Sequence, residues 1–230
     1  DFTKIEEGKF ELEDCEFNLQ SVIENITNTT SFLADKKGIK TSLTIDHNLP
    51  VTLHGDPLRI GQILINLVSN AIKFSPEHST ISVSLTLVTL EDSRVKIQGS
   101  VTDPGIGMTQ DQINSLFQSF VQVDYSNSRK FEGTGLGLAI CRKLTNLMNG
   151  EIWVESKPNQ GSTFSFNLWL KPGQHLERRA DPSRKNRDSL QWDSTDNKST
   201  FNQLKGRKIL LAEDNDINQE IALELLDQAE

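Results

Sequence analysis

At 230 residues, with 35% apolar and 24% charged side chains, the chain is long enough for one sizeable core plus a polar surplus. Its formal net charge is −8 and unevenly spread, for residues 171–208 hold ten Lys/Arg against five Asp/Glu and leave −13 on the remainder. An acidic body excludes general nucleic-acid binding, no apolar run approaches the ~20 residues of a membrane helix, and two cysteines, Cys15 and Cys141, build no disulfide framework and suit a reducing, cytoplasmic compartment.

Residues 1–8 read as the end of a helix capped by Gly8, so the chain is expected to be a segment of a longer protein. Lys9 to Phe17 is a short extended stretch. Asn18 then caps a helix with apolar positions Leu19, Val22, Ile23, Ile26 and Leu33, ended by Gly38, and Thr41 to Ile45 alternate as a strand. Asp56 and Pro57 give a clear N-cap and first turn to a helix running to Phe74, before Pro76. Strands are expected over Ile81–Leu90 and Arg94–Val101. Thr109 or Asp111 opens a short helix containing Leu116 and Phe117. Val121 to Gly135 shows neither period and reads as a long mobile loop. Gly137 to Met148 is helical again, and Ile152–Val154 with Thr163–Leu170 form a hairpin-like pair. From 171 to 206 apolar residues nearly vanish, as in a disordered linker. A new strand, Lys208 to Ala212, and an amphipathic helix, Asn218 to Glu230, close the chain.

Three patterns carry chemistry. The helix from Asp56 is apolar nearly all round except for Arg59, Gln62, Asn66, Asn70 and Lys73, spaced three or four apart on one face. An ordinary solvated stripe would be richer in Glu and Lys, whereas amides four apart are poor helix formers; amide oxygens suit Mg²⁺ and a nearby Lys suits phosphate. Asp103-Pro104-Gly105-Ile106-Gly107 follows a strand, where glycines permit a tight turn and an acid can accept from an exocyclic amine, although alone the pattern is also that of a simple turn. Gly133-Thr134-Gly135-Leu136-Gly137-Leu138 leads straight into a helix, so freed backbone N–H groups can hold an anion there. It is neither the dinucleotide fingerprint nor a Walker A loop. Arg129 and Lys130 upstream are candidates to neutralise phosphate charge, or an ordinary solvated pair.

In this order and spacing the patterns resemble the catalytic ATP-binding domain of two-component sensor histidine kinases, in the GHKL superfamily. Asn66 to Phe74 is similar to the N box, Asp103 to Gly107 to the G1 box, Phe117 to Phe120 to the F box, Gly133 to Leu138 to the G2 box, and Gly161 to Phe164 to the closing glycine segment. Residues 1–9 resemble the end of the dimerisation helix that precedes such domains. The resemblance implies an α/β fold, a two-layer sandwich with helices on one face of a mixed sheet, over residues 9–170. It implies ATP held with Mg²⁺: Asp103 accepting from the adenine amine with Thr163 assisting, Gly105 and Gly107 shaping that pocket, Asn66 and Asn70 holding Mg²⁺ and phosphate oxygens, Lys73 on phosphate, and the Gly133–Leu138 backbone cradling the phosphates.

Residues 207–230, with Glu213-Asp214-Asn215 after a strand, resemble the first strand and helix of a flavodoxin-like receiver domain, whose acidic pair binds Mg²⁺. Kinase domain, linker and receiver in that order make a hybrid histidine kinase, with the receiver in cis and a homodimer through the dimerisation helices. None of His47, His54, His78 and His175 is followed by the acid, base, Thr and Pro of a phospho-accepting site, so the acceptor His is expected on a dimerisation domain outside this chain. An ATP-hydrolysing relative of the same fold would carry Glu at position 66 to activate water; Asn66 cannot accept that proton. A module that senses ATP without transferring phosphate would have the same binding residues.

Overall fold

The computed structural model describes residues 10–91, 93–118 and 135–173, together with the backbone of Leu190–Gln191. The chain divides into two units, Asp1–Trp192 and Asp193–Glu230, and every described residue lies in the first. The expected dimerisation-helix end, the loop from 121 with Phe120, Arg129, Lys130, Gly133 and Thr134, and the receiver segment with Glu213 and Asp214 lie outside the described residues.

The first described strand is β1 (Cys15–Asn18), which leads into α1 (Leu19–Lys36). Asn18 caps α1 as its spacing predicts, its side chain accepting from the Gln20 N–H at 2.8 Å. Then come β2 (Lys40–Ile45), β3 (Thr52–Gly55) and α2 (Pro57–Phe74). Asp56 accepts from the Arg59 N–H at 3.0 Å through one carboxylate oxygen and from the Glu13 N–H at 3.1 Å through the other, so one buried acid caps α2 and ties down the chain before β1. The remaining elements are β4 (Thr80–Leu90), β5 (Val95–Asp103), α3 (Gln110–Ser115), α4 (Gly137–Leu147), β6 (Glu151–Ser156), β7 (Ser162–Pro172) and β8 (Leu190–Gln191).

The strands form one mixed sheet in the order β1-β3-β7-β5-β4-β2-β8, with β6 beside β7. Among the described strands, only β2 and β4 pair in parallel. Side chains alternate across a sheet, so register assigns its faces. Val95, Ile97, Gly99, Val101 and Asp103 of β5 stand opposite Leu170, Leu168, Phe166, Phe164 and Ser162 of β7, on the inner face. There α2 lies between α1 and α4 and buries Ile60, Ile63, Leu64, Leu67, Val68, Ala71 and Ile72, which explains a helix apolar nearly all round. Fully burying one such aliphatic side chain stabilises by about 1.5–3 kcal/mol. Lys96, Gln98, Ser100 and Thr102 form the outer face with Trp169, Asn167, Ser165 and Thr163.

Three expectations are corrected. Strand β3 has no counterpart in the sequence reading: only Leu53 of its four residues is buried, too few to show a period of two. Helix α3 ends at Ser115, before Leu116 and Phe117, although its start at Thr109 is fixed by a capping box with Gln112. Nor is 171–206 detached throughout. Strand β7 continues to Pro172, where it pairs with β3, and Leu190–Gln191 pair with the β2 edge at Leu43 and Ser42.

Candidate functional site

Asp103 is the last residue of β5 and faces the helices, 5% exposed. Its Oδ1 accepts from the Gly105 N–H at 2.8 Å, and the Ser162 N–H also donates to the carboxylate. Burial raises its pKa above the ordinary carboxylate value, and those two donors oppose the rise. Two positions of the turn after it, Gly105 and Gly107, admit no side chain. A Cβ on Gly105 would lie 2.5 Å from Asp103 Oδ1 and 2.7 Å from the Phe74 carbonyl oxygen; one on Gly107, where φ is +63°, would lie 1.9 Å from the Lys157 carbonyl oxygen. Gly105 therefore seats the acid's turn directly on the C-terminal end of α2.

Further back along α2, the helix meets α4. A Cβ on Gly137, the first residue of α4, would stand 2.9 Å from Asn66 Oδ1, and Asn66 Nδ2 donates to the Gly137 carbonyl at 3.5 Å. The Asn66 side chain also bonds the thiol of Cys141, one turn into α4, while the Cys141 Sγ–H reaches the Ile63 carbonyl at 3.9 Å. Burial pushes this thiol's pKa up to about 12, so at neutral pH it is a neutral hydrogen-bonding group against Asn66 rather than a nucleophile. Between the two contacts lie half-buried Asn70 and Lys73. Burial lowers the Lys73 pKa, and its ammonium sits 5.4 Å from the Phe74 ring centroid. Asn66 to Lys73 spans about 10 Å along the helix axis, with Asp103 beyond the Lys73 end and the α4 N-terminus at the Asn66 end.

Not every residue of the polar stripe lies on this stretch of α2. Arg59 donates to Gln62 Oε1 at 2.9 Å and stacks over the Phe10 ring at 4.8 Å, so the stripe's first turn supports the start of the domain. Of the phosphate loop, Gly135 (φ +68°), Leu136, Gly137 and Leu138 are described; Leu136 is the N-cap of α4 without a side-chain cap, and Leu138 packs against the core. Thr163 does not join Asp103. It pairs with Thr102, their hydroxyls 3.0 Å apart, on the outer face. The residue opposite Asp103 is Ser162, whose hydroxyl lies 3.0 Å from that of Ser156, which in turn accepts from the Met108 N–H at 2.9 Å. Strand alternation, counted from Asp103 to its partner, was the sequence signal for Ser162.

Among the described residues no three His, Cys, Asp or Glu side chains cluster as a metal site. The donors that fit Mg²⁺ are the hard amide oxygens of Asn66 and Asn70, too few to hold the ion without ligand oxygens such as phosphates. No described helix is long and apolar enough to cross a membrane.

An α/β sandwich with an acid before a glycine turn at one end of this stretch of α2 and a helix N-terminus at the other suits a nucleotide. Comparison gives its family: the model for histidine kinase-, DNA gyrase B- and HSP90-like ATPases matches residues 55–172, and the chain belongs to that family. The signal transduction histidine-protein kinase BarA of Escherichia coli K12 is 42% identical over 179 residues, 77% of this chain and 19% of BarA. The autoinducer 2 sensor kinase/phosphatase LuxQ of Vibrio vulnificus is 35% identical over 221 residues, 95% of this chain and 24% of LuxQ. Full-length ShkA in complex with AMPPNP superposes with a TM-score of 0.66 at 25% identity, covering 99% of this chain and 42% of ShkA. The chain thus spans about a fifth to a quarter of the length of these curated relatives.

Proposed function

We propose that the chain binds Mg²⁺-ATP along α2 and transfers the γ-phosphoryl group to a histidine of a dimerisation domain, as one step of a phosphorelay. The observation that carries this reading is the pair of close approaches along α2, Gly105 against the Phe74 carbonyl at its C-terminal end and Gly137 against Asn66 two turns earlier. Adenine then lies at Asp103, where the carboxylate accepts from the exocyclic amine and Ser162 backs it. The phosphates run past Lys73 and Asn70 towards Asn66 and the α4 N-terminus, whose partial positive charge favours them. Asn66 and Asn70 would hold Mg²⁺ through their amide oxygens, and the ion would supply charge to offset that of the phosphates. The backbone of 133–138 and the side chains of Thr134, Arg129 and Lys130 complete the phosphate side.

The chain's contribution is positioning. The attacking imidazole nitrogen forms the new P–N bond as the β,γ-bridging P–O bond breaks, and ADP leaves with the bridging oxygen. An amide at position 66 has no basicity to activate water, so bound ATP persists until a histidine is presented. The same reading takes 207–230, with Glu213 and Asp214, as the start of a receiver domain in cis, and places the acceptor His on a homodimeric helical domain. The LuxQ and ShkA alignments, which run over 95% and 99% of this chain, support continuity beyond the kinase domain.

The test is to incubate the full chain with γ-labelled ATP and Mg²⁺, alone and with separately produced dimerisation helices bearing a histidine. The expected result is label on the added histidine, abolished by Asn70→Ala, and little free phosphate without the helices. Rapid phosphate release without acceptor contradicts the reading in favour of an ATPase. Tight ATP binding with no transfer to any histidine contradicts it in favour of a nucleotide-sensing module.

A further inference from the structure

We propose that Lys37 is a positioning residue for the phosphate side of the site, clamping the last turn of α2 so that Lys73 is held at the nucleotide. A helix leaves its last four carbonyls without intrahelical partners. In α2 these belong to Ala71, Ile72, Lys73 and Phe74. The Ala71 carbonyl accepts from the Ser75 N–H at 3.0 Å. Those of Ile72 and Lys73 accept from Lys37 Nζ at 2.9 and 2.8 Å, and the same ammonium reaches the Ser75 carbonyl at 3.2 Å. Three donors thus meet three acceptors, and no ammonium hydrogen is left over. The Phe74 carbonyl, between the two clamped carbonyls of Lys73 and Ser75, is not bonded by Lys37 and faces Gly105.

Lys37 is itself held from both sides. As the C-cap of α1 its N–H donates to the Ala34 carbonyl, and its own carbonyl accepts from the His78 N–H at 3.0 Å in the turn before β4. Its charge stands at the negative end of the α2 dipole, which favours the contact. Burial lowers its pKa, and Glu77 opposes that shift. The functional consequence follows from which carbonyl is clamped. Holding the Lys73 carbonyl fixes the peptide plane from which the Lys73 side chain departs, and an ammonium that is half-buried has little freedom to find phosphate from a frayed turn.

The inference rests on the assignment of Lys73 to phosphate, so the test separates the two. Calorimetry on the full chain compares Mg²⁺-ATP with adenosine. Lys37→Met is expected to weaken ATP about tenfold, the loss of roughly one charge-assisted hydrogen bond's effect, and adenosine by less than about twofold. Lys37→Arg should restore most of the ATP affinity. In a Lys73→Ala background, Lys37→Met should cost less than about twofold further in ATP affinity, although the melting temperature falls in both backgrounds. Equal losses for ATP and adenosine, or the same tenfold loss without Lys73, would overturn the positioning role and leave Lys37 a purely structural cap. A Lys73→Ala variant with wild-type ATP affinity would overturn the phosphate assignment beneath it. If Lys37→Met does not fold, Lys37→Gln is judged by the same criteria.

Discussion

Replacing Asp103 by Asn isolates the proposed adenine end of the site. The carboxylate is 5% exposed and takes hydrogen bonds from two backbone donors, Gly105 and Ser162, while burial raises its pKa. An Asn of the same shape keeps one oxygen for Gly105 but puts an NH₂ where the second carboxylate oxygen stood. Against the adenine amine this sets donor against donor, and the lost charge-assisted bond is worth about 1.5–3 kcal/mol, roughly 10- to 150-fold in Kd. The ligand-free fold is destabilised less than the complex, because removing the charge also removes its desolvation cost, which offsets the weaker bonds from Gly105 and Ser162. Calorimetry with ATP and GTP, beside thermal melts without nucleotide, reads all of this. The expected result is a weakened ATP interaction, a narrowed preference for ATP over GTP, and a melting temperature close to wild type. Unchanged ATP affinity, or equal losses for ATP and GTP, would refute the assignment of Asp103 to the adenine amine.

The register across β5 and β7 predicts that Ser162→Val weakens ATP by roughly fivefold, about one neutral hydrogen bond, whereas Thr163→Val changes it by less than about twofold; calorimetry on both variants decides it. Burial holds the Lys73 pKa below the usual 10.5 in the free protein, and a bound triphosphate would favour the charged form. ATP affinity is therefore full below that lowered value and falls as pH rises through it towards the higher pKa of the complex. Adenosine affinity should stay flat over the same range, and Lys73→Arg should flatten the ATP curve.

Much of the fold is legible in the chain because its signals are local. Asn18 and Asp56 as caps, the all-round apolar α2 and the alternation of β4 and β5 each identify an element without knowledge of its neighbours. What escapes is what depends on pairing. The four residues of β3 are specified by β1 and β7 rather than by their own pattern, and Leu190–Gln191 show no strand signal except in register with Leu43 and Ser42. The site divides in the same way. Asn66, Asn70, Lys73 and Asp103 are proposed from local signals, amides on a buried helix and an acid before glycines, which are costly without a purpose. The face of Thr163 is not legible, since it is fixed only by the register that puts Ser162 opposite Asp103 and Thr163 opposite Thr102. The parts played by Cys141 against Asn66 and by Lys37 beneath Lys73 are absent from any linear motif, for both contacts bridge separate helices.

The most direct test of a nucleotide lying along α2 is the pattern of backbone amide shifts on adding Mg²⁺-AMPPNP to the isotope-labelled chain. The account predicts the largest changes at Asp103 to Met108, along Asn66 to Phe74, and at Gly135 to Leu138, with the outer face at Thr102, Thr163 and Trp169 unmoved. Changes centred on that outer face, or at Asp103 without any at Asn66 and Asn70, would contradict it.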